Sequence, residues 1–192
     1  MKCRVAIGRL TAVVAGLAAA VIAVNAQAAF TAGVPTLTQT GPGCTAVRGG
    51  QTCGDLFAGA GVMAPGGPAE VRQAVLTYNG SAPSTATGLY LEHFASRGAA
   101  SAPVCTAADP ASKFDFTVSA DGQVLYQGNL ASFAAAHSDP STRLSLPGGS
   151  GRLDHWAPGD TVAVTLAVSL DRSADNAYMG CSTDTQFTWF AE

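Results

Sequence analysis

Thr161-Val162-Ala163-Val164-Thr165-Leu166-Ala167-Val168-Ser169-Leu170 is the stretch that decides the fold. Val162, Val164, Leu166, Val168 and Leu170 fall on one side of an extended chain, and Thr161, Ala163, Thr165, Ala167 and Ser169 on the other. Alternation of period two sustained this long predicts a β-strand with one face buried and the other turned outward. Ala157-Pro158-Gly159-Asp160, just upstream, reads as a turn, because Pro restricts the backbone and Gly opens conformations that other residues avoid.

Working outward, Met63-Ala64-Pro65-Gly66 leads in the same way into a strand from Val71 to Tyr78 that ends at Asn79-Gly80. Gly88 to Phe94 reads as a further strand, and Lys113 to Ser119 as another with Phe114, Phe116 and Val118 on one side. Asp121-Gly122 is a tight-turn signal and Gln123 to Gln127 the returning strand, so the segment from Phe114 to Gln127 is a hairpin. Gln186 to Phe190 closes the series with Phe187 and Trp189 on one face. Leu130 to His137 lacks strand alternation and predicts a short helix. About seven strands separated by Gly/Pro turns, with little helix, define an all-β chain, expected as an antiparallel jelly-roll-like β-sandwich with one or two short helices. An immunoglobulin domain would set its core tryptophan in mid-strand, whereas Trp156 lies at a turn beside Pro158-Gly159.

The chain begins differently. Lys2, Arg4 and Arg9 precede an almost wholly apolar run from Leu10 to Val24, and Ala26-Gln27-Ala28 follows as a small-x-small cleavage site. Residues 1–28 are therefore expected to be a signal peptide cut after Ala28, with Ala26 as the second choice and a retained anchor as the competing reading. Residues 29–192 suit a single β-sandwich domain. Three of the 10 Lys and Arg leave with the signal while all 13 Asp and Glu stay, which moves the net charge from −3 to −6. Nucleic acid and anionic lipid are poor partners for such a surface, and no membrane association is expected after cleavage.

Cys3 also leaves with the signal. Cys44, Cys53, Cys105 and Cys181 remain, an even number that favours two disulfides in an exported protein, with three possible pairings. Cys44 with Cys53 is the local choice, leaving Cys105 with Cys181. A zinc site is the rival reading, but no C-x-x-C pair or nearby His supports it.

The C-terminal third carries a resemblance. Ala157-Pro158-Gly159-Asp160, the strand to Leu170, Ala174-Asp175-Asn176-Ala177-Tyr178-Met179-Gly180-Cys181 and Phe187-Thr188-Trp189-Phe190-Ala191 follow one another in an order similar to that of the TasA/camelysin family of exported bacterial biofilm-matrix and cell-surface proteins. Phe30-Thr31-Ala32-Gly33, Ala64-Pro65-Gly66 with its strand to Asn79-Gly80, and the hairpin region from Phe114 to Leu130 match more loosely. Met179 replaces the usual Gln, and the Cys44 to Cys53 region resembles an insertion. The resemblance implies a jelly-roll fold and fibres in which an N-terminal segment completes a neighbour's sheet.

Catalytic and metal motifs are sparse. His93, His137 and His155 are the only histidines, and no H-E-x-x-H occurs. Glu92 and His93 are neighbours on an expected strand and should face opposite ways. Gly148-Gly149-Ser150-Gly151 is not a G-x-S-x-G elbow and reads as a flexible loop. Gly41-Pro42-Gly43 and Gly49-Gly50 lack the Lys-Ser/Thr of a phosphate loop. Asp171, Asp175 and Asp184 match no regular calcium loop and read as a solvated acidic loop. Lys113 is the only Lys left after the signal, and no sortase-type signal closes the chain. No cofactor, metal or catalytic residue is expected, and the chain is read as a non-enzyme.

Two functions fit. One is a secreted structural protein of the extracellular matrix or cell surface that self-associates, possible further partners being other matrix or surface proteins. The other is a monomeric binding or adhesion module on the same fold. For the first, Phe30 to Thr38 is the candidate donor strand: Phe30, Ala32 and Val34 alternate, Leu37 follows, and an open sheet edge of another subunit could receive them. Pro35 must then sit at an edge, a bulge or the end of the pairing.

Overall fold

The computed structural model describes residues 37–39, 44–47, 49–54, 56–57, 63–98, 110–175, 178 and 181–192. All belong to one compact unit, Pro35–Glu192. In chain order the strands are β1 (Leu37–Gln39), β2 (Cys44–Val47), β3 (Gly50–Cys53), β4 (Glu70–Tyr78), β5 (Thr87–Gly98), β6 (Phe114–Ala120), β7 (Gln123–Asn129), β8 (Leu144–Ser145), β9 (Thr161–Leu170) and β10 (Cys181–Ala191). A 3-10 turn, Pro110–Lys113, precedes β6, and one helix, α1 (Leu130–Ala136), follows β7. No helix among the described residues is long and apolar enough to cross a membrane.

Two antiparallel sheets result, ordered β1-β4-β9-β6-β7 and β2-β3-β10-β5-β8. The stretch that decides the fold is the central strand of the first sheet. Val162, Val164 and Leu166 are at most 1% exposed and Val168 is 7% exposed. They meet Ala74, Leu76 and Tyr78 of β4 and Phe116, Val118 and Ala120 of β6 in the core. The second sheet presses Leu89 and Leu91 of β5 and Phe187, Trp189 and Ala191 of β10 into the same cluster. Phe116 bridges the layers, with its ring centroid 5.6 Å from that of Phe187 and 4.9 Å from that of Phe133 on α1. Burying side chains of this size contributes roughly 1.5–3 kcal/mol each, the main favourable term holding the sheets together.

Local sequence explains the elements. Asp121 (φ 47°) and Gly122 (φ 82°) form the left-handed pair that a two-residue hairpin needs. Asn129 caps α1, its side-chain oxygen accepting the Ser132 amide at 2.7 Å. In the turn ahead of β9, Gly159 has φ 87° and the Asp160 carboxylate accepts the amides of Ala157 and Gly149.

Several expectations need correction. Ten strands lie among the described residues where about seven were expected, because β1, β2, β3 and β8 have two to four residues each, too few for periodicity to register. β5 and β10 both extend well beyond the segments read from the sequence. Trp156 does lie in a loop, yet it is fully buried there, with its ring nitrogen donating to the Leu146 carbonyl and its amide to Ser84 Oγ. The Gly148–Gly151 segment is an ordered turn: Gly151 donates to Gly148 O at 2.8 Å and Gly148 to Arg152 O at 2.9 Å.

Glu92 and His93 do not obey simple alternation. The register of β5 against β10 shifts there, Leu91 pairing with Phe187 and His93 with Gln186, so Glu92 is the extra residue of a β-bulge. The bulge leaves both Glu92 and His93 exposed and returns Phe94 to the core.

Candidate functional site: the amino-terminal edge strand

β1 is short, and three sets of interactions fix it. Leu37, opposite Tyr78 in register, is fully buried. Thr38 Oγ1 donates to the Thr77 carbonyl at 3.3 Å and accepts from Asn79 Nδ2 at 2.7 Å. Gln39 ties the first sheet to the second: its side-chain oxygen accepts the Trp189 ring N–H at 2.6 Å, and its amide donates to Gln51 Oε1, also at 2.6 Å. Trp189 is completely buried, so Gln39 satisfies an indole donor that would otherwise face apolar surroundings.

Of the expected donor residues, Leu37 thus sits in its own chain's sheet; Phe30, Ala32 and Val34 lie outside the described residues. β1 pairs with Leu76–Tyr78 of β4 alone. Glu70–Val75 of the same strand has no further partner on that side among the described residues.

Cys44 and Cys53 are directly opposed in the β2–β3 pair and form a disulfide. Cys181 is disulfide-bonded too, while Cys105, its expected partner, lies outside the described residues.

The polar clusters have evident structural partners. Glu92 Oε2 accepts the hydroxyls of Thr52 (2.9 Å) and Thr188 (3.0 Å), joining β3, β10 and β5 across the outer surface of the second sheet. Asp154, itself in the left-handed region at φ 61°, accepts the Thr87 amide, the Ser145 hydroxyl and Arg143 Nη2. These bonds hold the β8 segment against the start of β5. His137 sets Nδ1 2.6 Å from the Thr142 carbonyl and packs its ring on Phe133; His93 and His155 are exposed. Asp171 is held below the usual carboxylate range by the Ser173 hydroxyl and amide, and Asp139 by those of Ser141, so both carboxylates organise turns. A shallow groove runs past Pro83, Arg152, His155 and Asp160, but the Asp160 carboxylate is committed to its turn. Among the described residues no group of three His, Cys, Asp or Glu is placed to hold a metal.

No family model matches the chain, and no curated protein matches it. Sequence reading did not find Gln39 or its role, since the bond to Trp189 spans 150 positions and a lone Gln carries no local signal.

Proposed function

We propose that the chain is a secreted structural protein of the extracellular matrix or cell surface that self-associates by exchanging β1 between copies. The observation that carries this reading is the three-residue β1 itself, seated at a sheet edge and joined to β4 by a short register. When an edge strand leaves its own sheet and enters the same position in a neighbour, it re-forms there all the bonds it gave up, so the exchange costs little beyond bringing copies together. The Cys44–Cys53 disulfide suits an oxidising compartment, as does the apolar leader expected at residues 1–28. The resemblance to the TasA/camelysin family, with its jelly-roll form, points the same way.

A second reading has its own observation. Leu37 and the Gln39 bonds complete the sheet within one chain, as a self-contained monomeric surface module requires.

Thr38 and Thr77 are opposed in register, which makes a direct test. The variants Thr38→Cys and Thr77→Cys, mixed and oxidised, should give a disulfide-linked heterodimer that neither gives alone. If the mixture stays unlinked while the double variant bridges internally, β1 stays at home and the monomeric module takes precedence.

A further inference from the structure

Asn79-Gly80 is the one Asn-Gly pair in the chain, and it stands directly after β4, at the end where β1 pairs. Asn79 is exposed and its Nδ2 donates to Thr38 Oγ1 at 2.7 Å, while the Thr38 hydroxyl donates to the Thr77 carbonyl at 3.3 Å. With its proton committed there, the hydroxyl can only accept from residue 79. Gly80 is buried, and a Cβ on it would lie 2.2 Å from Tyr78 Oη, which is itself tied to the Ala82 carbonyl at 2.8 Å. Packing therefore demands glycine after Asn79. The Gly80 amide has no acceptor among the described residues.

We propose that Asn79 is a site of spontaneous deamidation and that the reaction releases β1. Glycine sets no side chain in the path of attack and lets the backbone bring its nitrogen to the neighbouring amide, so Asn before Gly is a labile setting. The Gly80 nitrogen attacks Asn79 Cγ, a C–N bond forms, and Nδ2 leaves as ammonia, taking the Gly80 amide hydrogen with it. Water then opens the five-membered imide at one carbonyl or the other. One opening gives Asp; the other gives isoaspartate, with the main chain routed through the former side chain. Neither step needs an oxidant or a reductant. Both products replace the donor that faced Thr38 with a carboxylate, ionised above about pH 4 and able only to accept. Two acceptors then face each other where a hydrogen bond stood. While β1 is seated, the bond to Thr38 holds the Asn79 amide in place; fraying of the strand frees it to turn toward Gly80. Because the reaction does not reverse, a chain whose β1 has stayed away loses the contact that would help it return. This goes beyond exchange of β1 between copies, since it concerns how firmly the strand is held and not where it goes.

Peptide mapping by mass spectrometry of the purified exported chain, held for days at neutral pH and physiological temperature, tests the reaction. Hydrogen exchange of Asn79→Asp tests its consequence. Asp and isoaspartate should accumulate at position 79 of the folded chain, and faster in Thr38→Ala, which lacks the acceptor that holds the amide. Asn79→Asp should quicken exchange at Leu37–Gln39 about fivefold, the worth of one hydrogen bond, with Phe116–Val118 unchanged. Thermal unfolding should show both variants folded, since neither side chain is part of the core. The proposal is overturned by conversion that occurs only in urea, by a Thr38→Ala chain that converts no faster than the parent, or by an Asn79→Asp chain whose exchange at Leu37–Gln39 is unchanged. A missing Thr38–Thr77 intermolecular link would leave it standing, because deamidation requires β1 to fray and not to enter a neighbour.

Discussion

Gly50 and Gly122 both resist a side chain, for different reasons. A Cβ on Gly50 would come within 1.7 Å of the Trp189 carbonyl oxygen, a backbone atom that cannot swing aside. Gly122 has open space around it but sits at φ 82°, where an L-residue is strained. Gly122→Ala should therefore cost about 1 kcal/mol and leave the fold intact. Gly50→Ala should cost about 3 kcal/mol or more, since the β3–β10 pairing must shift to admit a methyl group. Urea unfolding of the two variants checks the order, and a Gly122 variant weaker than the Gly50 variant would contradict it. At this scale legibility followed locality. Asp121-Gly122 could be read because turn chemistry is written in adjacent residues, and Cys44 with Cys53 because the hairpin that joins them is short. Glu92-His93 was misread because a bulge depends on the register with β10, which those two residues do not encode.

Among the elements, β9 and β4 announce themselves through long alternation, whereas β1, β2, β3 and β8 owe their existence to neighbours. β1 is the clearest instance: three residues have no stable extended form alone, and Leu37 burial plus the Gln39 bonds supply what the backbone pairing lacks. Gln39→Ala removes the acceptor of the Trp189 indole N–H and leaves that donor buried, at a cost of about 1–3 kcal/mol. The loss should concentrate at the edge. Hydrogen exchange at Leu76–Tyr78 should quicken more than at the Phe116–Val118 centre of β6, and if β1 is the exchanged strand, the Thr38–Thr77 intermolecular link should form faster. Uniform acceleration across both sheets would mean that Gln39 supports the whole core instead. Of the expected donor segment, the alternating Phe30, Ala32 and Val34 lie outside the described residues, and the bond that anchors Leu37–Gln39 joins residues from opposite ends of the described chain, which no local pattern encodes.

For the whole molecule, ionisation couples to the sandwich through its tyrosines. Burial raises the hydroxyls of Tyr78 and Tyr126 above the usual tyrosine range, and burial followed by the Glu92 charge does the same for Tyr90. The folded state then holds protons that the unfolded chain gives up near pH 10. Stability from this source is complete below about pH 10 and is lost as pH rises through the folded-state values. Chemical denaturation should show a midpoint that falls between about pH 9 and 11 while tyrosinate absorbance appears with unfolding; a constant midpoint would contradict it. The strand order carries one more consequence, for the timing of folding. β9 stands between β4 and β6, and β10 between β3 and β5, so the strand that joins the halves of each sheet comes from residues 161–191, after every other described strand. While synthesis has reached only the loop before β9, the nascent chain can make the hairpins β2–β3 and β6–β7 but neither layer. Both sheets close together, through pairings nearly a hundred positions apart, once β9 and β10 are available. High contact order of this kind makes closure of the sandwich slow, so refolding from denaturant should lag well behind formation of the β6–β7 hairpin.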